Sequence, residues 1–452
     1  MTISFAAACG SNKNSDDDGD GSVKPDACAG IECNIVDCGA MGMPPTTISG
    51  TVFAPNGTLP LNGVNVYVPR DPLPPFVEGA TCDRCQTTLP GSPIAQAISD
   101  PAGNFRLENV PAGADIPLVI TTGKWRRQIT IPSVTQCSDN ALGAADTRLP
   151  KNKSEGDIPK IAITTGDADS LECLIRKLGI DDAEITTNAG TGRIHLYRGD
   201  GVASFKSGFP GGSGALANAV PFWSSVDTLK AYDIVFLSCE GSQMQDTNGG
   251  TNKTQPALDA MKAYADLGGR VFASHWHNIW IGGNFQDNNP GLAPPVWNNI
   301  ATWTGNDDQP GNPVLVDEVS NPKGPQFAEW MLNVGGSTVR DEIQLQNGTE
   351  RRTALTLDTS RAERWVQTQN AAANPRMGGP QMFQFTTPNE TTPDQRCGKV
   401  VFTDMHVTGT STVGNPYPDS CPGGAGNLTL TPQEKALAFM FFDIASCVGG
   451  IF

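Results

Sequence analysis

The chain has 452 residues and a formal net charge of −16, from 47 acidic side chains against 31 Lys and Arg. Fifty Gly, 35 Pro and a charged fraction of only 17% exclude a coiled coil or helical bundle, and 38% hydrophobic residues exclude a wholly disordered chain. The acidic balance excludes a nucleic-acid surface or a face that adsorbs to anionic lipid, since both need clustered Lys and Arg. The length predicts two or three domains, and twelve cysteines predict an oxidising compartment.

The first ten residues, Met1-Thr2-Ile3-Ser4-Phe5-Ala6-Ala7-Ala8-Cys9-Gly10, place small side chains before a Cys. This resembles a bacterial lipobox. The resemblance implies lipidation of Cys9 and a lipid-anchored protein at the outer membrane or cell surface, outside the cytoplasm. The basic start and apolar core of a signal peptide are missing, and a start upstream of Met1 would supply them. Residues 1–45 read as this lipobox-like start and an acidic, Cys-containing tether, in which residues 10–27 are almost free of apolar side chains and cannot bury enough surface to order. Asp16, Asp18, Asp20 and Gly21 follow the first half of a calcium loop, but Ala27 stands where the bidentate acid is needed.

Residues 46–150 read as a small all-β domain. Thr47–Phe53 and Val64–Val68 alternate with turn signals such as Pro55-Asn56-Gly57 and Asn62-Gly63. Ser49-Gly50-Thr51-Val52, Gly63-Val64-Asn65-Val66, Asp100-Pro101-Ala102-Gly103-Asn104-Phe105 and Val110-Pro111-Ala112-Gly113 together resemble the carboxypeptidase regulatory-like domain, a transthyretin-like sandwich. That resemblance implies a spacer or binding module without catalytic residues. Cys82-Asp83-Arg84-Cys85 interrupts it inside a Pro-rich insertion. With no second pair at zinc spacing, these two cysteines read as disulfide staples, with their partners left open.

Residues 151–452 read as a larger domain. Ile158–Thr164, Tyr232–Ser238, Val271–Ser274 and Val400–Thr403 are apolar strands. Between them lie helices capped by Ser170 and stopped by Gly179, opened near Pro256 and closed by Gly268-Gly269, and boxed by Thr431 and Glu434 around Pro432. The alternation predicts an α/β fold, a parallel sheet with helices on both faces. Tyr232-Asp233-Ile234-Val235, Gly268-Gly269-Arg270-Val271-Phe272 and Cys397-Gly398-Lys399-Val400-Val401-Phe402 resemble the class I glutamine amidotransferase-like, flavodoxin-like fold, most closely its trehalose-utilisation-type branch. An amidotransferase needs a Cys at the elbow after the Gly-Gly strand. Here Ser274-His275-Trp276 stands there, so glutaminase activity is not expected.

In open sheets of this kind, ligands collect beyond the carboxyl ends of the strands. Those ends carry Asp167 and Asp169, Cys239 and Glu240, His275-Trp276-His277, and Asp404-Met405-His406. Period two pairs His275 with His277 and Asp404 with His406. Two imidazoles and a carboxylate fit a divalent metal such as zinc, and they equally fit a set of satisfied polar groups. Cys239 fits a nucleophile beside a His or a leftover thiol, since the five cysteines from Cys173 onward are odd in number. Trp276, Trp280, Trp297 and Trp303 read as a sugar-stacking platform or as a small local core. The leading expectation is an extracytoplasmic, non-catalytic binding or structural module with a ligand cleft for carbohydrate or a cell-surface protein. The alternative is a metal-dependent hydrolase of carbohydrate or another envelope polymer, using His275, His277, Asp404 and His406.

Overall fold

A computed structural model describes residues 30–85, 88–243, 253–286, 292, 296–308, 310–346, 350–369, 378–406 and 414–449. Cys9, the tether up to residue 29 and the calcium-like run at Asp16 lie outside these residues.

Seven strands build two facing β-sandwich-like sheets: β1 (Thr47–Thr51), β2 (Asn65–Pro69), β3 (Pro93–Ile98), β4 (Asn104–Glu108), β5 (Gly113–Thr122), β6 (Trp125–Val134) and β7 (Asp139–Ala141). One sheet has the order β4-β1-β7 and the other β3-β2-β5-β6. Alternation does the work here: Phe105 and Leu107 of β4 point inward while Asn104, Arg106 and Glu108 face water. Gly103, at φ +80°, makes the turn before Phe105, and Asp100 Oδ1 accepts from the amides of Ala102 (2.9 Å) and Asn104 (2.8 Å).

The remaining strands are β8 (Ile161–Thr164), β9 (Ile185–Thr187), β10 (Ile194–Arg198), β11 (Ser204–Phe205), β12 (Gly214–Ala215), β13 (Ala217–Asn218), β14 (Ile234–Leu237), β15 (Arg270–Ser274), β16 (Ala301–Asp308), β17 (Val314–Val316), β18 (Glu342–Ile343), β19 (Arg352–Leu357), β20 (Glu363–Gln367), β21 (Pro380–Thr387) and β22 (Gly398–Thr403). Eleven of them form one sheet in the order β13-β10-β8-β14-β15-β22-β21-β20-β17-β18, with β9 beside β10. Pairings among β8–β10, β13–β15 and β22 are parallel, whereas β22-β21, β21-β20, β20-β17 and β17-β18 are antiparallel.

The expected flavodoxin-like α/β fold, a parallel sheet covered by helices on both faces, is therefore overturned. The molecule is largely β, its long sheet is mixed, and helices such as Glu172–Lys177, Gln255–Asp266 and Pro432–Ala445 are few. The physical reason lies between residues 301 and 387. The short β runs there, such as Arg352–Leu357 and Pro380–Thr387, are separated by Gly- and Pro-containing stretches and give no long apolar signal. They fold as strands by extending the sheet and by pairing as a separate ribbon, β16 with β19. The last helix keeps its predicted start: Thr431 Oγ1 accepts from the Glu434 amide (3.2 Å), and Glu434 accepts from the Thr431 amide (2.9 Å).

The two parts share one buried core, which runs from Ile48 and Ile120 through Leu174 and Phe236 to Phe441. Among the described residues, four disulfides reinforce the chain: Cys38–Cys137, Cys82–Cys397, Cys85–Cys447 and Cys173–Cys421. The neighbours Cys82 and Cys85 thus go to separate partners across the molecule, forming neither a redox pair nor half of a zinc site. Cross-links of this kind belong to a non-cytoplasmic protein. Among the described residues, no helix is long and apolar enough to cross a membrane.

Candidate functional site

The parallel half of the sheet brings the ends of β8, β14, β15 and β22 side by side. Close packing starts at Gly166, just past β8. A Cβ there would lie 2.2 Å from the carbonyl oxygen of Cys239, so only glycine lets the two strand ends approach this closely. His275 follows β15 on a sharp bend with φ +46°, a left-handed conformation that is costly outside glycine. The bend turns its ring across the strand ends instead of along them.

Three side chains converge at this place. Cys239 Sγ lies 3.5 Å from His275 Nδ1, and His406 Nε2 lies 3.1 Å from the same nitrogen. All three donor atoms fall within 4.8 Å of one another, and all three residues are buried. Among the described residues, Cys239 is the free cysteine. On its outer side, His275 Nε2 is 3.3 Å from Asp307 Oδ1, and Asp307 Oδ2 is 3.0 Å from Arg351 Nε. Asp307 is 36% exposed, so solvent reaches the site from this face.

Electrostatics follow from burial. Burial favours a neutral His275 ring, but Cys239, Asp307 and Asp404 outweigh it and push its pKa up to about 10. Burial holds His406 well below the ordinary imidazole value, aided by the charges of His275 and Arg351. A tetrahedral zinc ion with Zn–S about 2.3 Å and Zn–N about 2.0–2.1 Å places its donors about 3.3–3.6 Å apart, close to the spacings here. A single proton can bridge two of the three facing atoms, whereas a cation satisfies all three. The donor set therefore fits a borderline-soft transition metal, with thiolate and imidazole ligands.

The expected metal set is corrected in two of its four members. His277 points away: its Nε2 is 2.8 Å from the Ser238 carbonyl, and its Nδ1 accepts from Trp280 Nε1 at 2.9 Å. With both ring nitrogens engaged, it is no ligand. Asp404 accepts from the amides of Thr353 and Ala354 (2.8 Å each) and from Thr353 Oγ1 (2.6 Å). It anchors the β19 ribbon beneath the site, and burial raises its pKa despite the His275 charge. The structure puts Cys239 in the place these two vacate.

The other candidates divide similarly. Glu240 is tied to Lys253 in a fully buried ion pair, so it is no free acid or base. Asp169 accepts from Ser274 Oγ at 2.7 Å and braces the strand that carries His275. Asp167 is half-buried at the end of β8, where burial raises its pKa. The tryptophans are no exposed platform. Trp276, Trp280 and Trp297 are buried, and Trp303 packs edge-on against Phe402 at 5.1 Å. Trp280 and Trp297 belong to the core on this side of the sheet, and Trp303 packs against it. Asp307, Arg351 and Thr353 lie in or beside β16 and β19, whose sequences carry no clear strand pattern. Register shifts between Trp303 and Asp308 bulge β16, and such a bulge re-aims side chains in a way no periodicity reveals.

No known family model and no curated protein matches the chain. Among solved structures it is similar to the cytoplasmic protein STM3548 from Salmonella typhimurium, at 13% identity over 63% of this chain and 98% of that one, with a TM-score of 0.32. It is also similar to a chain of a type II cohesin–X–dockerin complex from Acetivibrio cellulolyticus, at 17% identity over 31% and 75%, with a TM-score of 0.16. At these scores neither likeness carries a functional argument.

Proposed function

We propose that the chain is an extracytoplasmic metal-dependent hydrolase whose ion is held by Cys239, His275 and His406. The observation that carries this reading is the meeting of three buried donor atoms within 4.8 Å at adjacent strand ends. Three protein ligands are the number that catalytic zinc sites use, with a fourth position kept for water or substrate. The ion would supply Lewis acidity and a water acidic enough to ionise near neutral pH. The chain's own contribution is orientation. Asp307 Oδ1 stands 3.3 Å from His275 Nε2, on the side where carboxylates stand behind metal-bound imidazoles, and Nδ1 faces inward. Gly166 and Asp169 hold the two strand ends at the required separation.

The burial of the tryptophans removes the main support for a sugar-stacking module, which leaves the hydrolase as the better-supported reading. The lipobox-like Ala6-Ala7-Ala8-Cys9 and the acidic spacer support a lipid tether at a bacterial envelope, with the sandwich as the spacer domain and an envelope polymer as substrate. The test is hydrolysis of a panel of nitrophenyl esters and glycosides by purified protein. Activity should vanish on stripping with a chelator and return with about one equivalent of zinc, as a single three-ligand site requires. Activity that survives complete metal removal contradicts the reading, as does inactivity on the whole panel at full zinc occupancy.

A further inference from the structure

Arg351 is the cation at the solvent face of the site. Its Nε reaches Asp307 Oδ2 at 3.0 Å, and its Nη1 donates to the Glu350 carbonyl at 2.8 Å. The same Asp307 reaches His275 at 3.3 Å, so one carboxylate joins the guanidinium to a ligand of the proposed ion. Arg351 is 26% exposed, while Cys239 and His275 are almost wholly covered. An approaching molecule therefore meets the guanidinium before it meets the donor atoms. Guanidinium groups bind carboxylate and phosphate through paired N–H donors, and Asp307 already shows that an oxyanion fits here.

We propose that Arg351 is the substrate-recognition residue of this site, and that its substrates carry an oxyanion, as a phosphate ester or a carboxylate, next to the bond that is cut. In the resting protein Asp307 fills that oxyanion position itself. An incoming anion displaces Asp307 from Arg351 and opens the path to Cys239, His275 and His406. This rests on the metal reading above and adds the class of substrate to it.

The experiment uses the full chain loaded with Co(II), whose visible absorption reports a thiolate-imidazole site directly. Inorganic phosphate and acetate are titrated separately, with a shift in the Co(II) bands as the readout. A response to phosphate, to acetate or to both supports the inference and tells which oxyanion is preferred. Arg351→Gln should weaken the anion at least about tenfold, equivalent to about 1.4 kcal/mol, while leaving the starting Co(II) spectrum unchanged. Arg351→Lys should lose less, since it keeps the charge without the paired donors. Asp307→Asn should do the opposite and tighten the anion, because the internal competitor is gone. For the two Arg351 variants the unchanged starting spectrum doubles as the check that the protein has folded, and for Asp307→Asn circular dichroism serves that purpose. Normal Co(II) bands with no anion response, or a response equal in wild type and Arg351→Gln, overturn the inference and leave the metal site standing. If wild-type protein gives no Co(II)-thiolate bands at all, the metal reading fails and this inference falls with it.

Discussion

In the sandwich, Asp139 accepts from Thr47 at 2.5 Å, Ser49 at 2.8 Å and Arg106 at 3.1 Å. At the ends of β14, β15 and β22, three buried ligand-type atoms, Cys239 Sγ, His275 Nδ1 and His406 Nε2, face one another. The first region answers this carboxylate with protein donors, as folded proteins ordinarily do. The second leaves a shared need that a cation would meet. Polar residues at strand ends are common to both regions, so composition does not separate them. What separates them is that Asp139 faces hydroxyl and guanidinium donors, whereas Cys239, His275 and His406 face one another with atoms that all can ligate a metal.

That contrast gives its largest test at His406. Replacing it with Ala should lower zinc affinity by about a thousandfold, near 4 kcal/mol, as read by competition with a chromogenic chelator. Thermal stability without metal should change far less. The equivalent change at His277 should reverse the pattern. His277→Ala strands Trp280 Nε1 and the Ser238 carbonyl, so about 2–3 kcal/mol of stability should go while zinc affinity stays within about twofold.

Between these two sits the clamp from the sandwich side. Cys85→Ala opens the Cys85–Cys447 bridge, which joins residues 362 apart in sequence. Loss of about 2–4 kcal/mol should appear in chemical denaturation, mainly through a less restricted unfolded chain.

A further effect, spread over several pH units, concerns Glu172, buried below the strand ends, with a pKa raised from 4.5 to about 8 by burial. The folded protein keeps this proton between those values while the unfolded chain has released it. Stability therefore falls as pH rises from about 4.5 to about 8, by at most about 1.4 kcal/mol per pH unit. Glu172→Gln should flatten that slope and raise the melting temperature at pH 8. An unchanged slope would show that Glu172 is ionised in the folded state.

Local patterns were legible where local physics decides. The capping box at Thr431, the turn at Gly103 and the apolar runs of β8, β14, β15 and β22 all follow from nearest-neighbour chemistry. Cys239, His275 and His406 are legible as site residues because they lie just past apolar runs. The flavodoxin-like expectation failed because strand direction in residues 301–387 depends on long-range pairing, which periodicity does not encode. The separation of His277 from His275 was hidden for a related reason. Alternation predicts a shared face, but the chain leaves β15 in a left-handed bend at His275 and enters a 3₁₀ turn, where i and i+2 diverge. Asp307 and Arg351 come from a bulged ribbon whose partners lie tens of residues apart.

The central claim is most directly tested by metal content. Protein purified from cells without added ions, and a Cys239→Ser variant prepared alongside it, should be compared by elemental analysis after gel filtration. The account predicts about one zinc or similar transition-metal ion per wild-type chain and less than about 0.1 in the variant, because the thiolate is one of only three protein ligands. Wild-type protein that holds no such ion, and takes none up on titration, would contradict it.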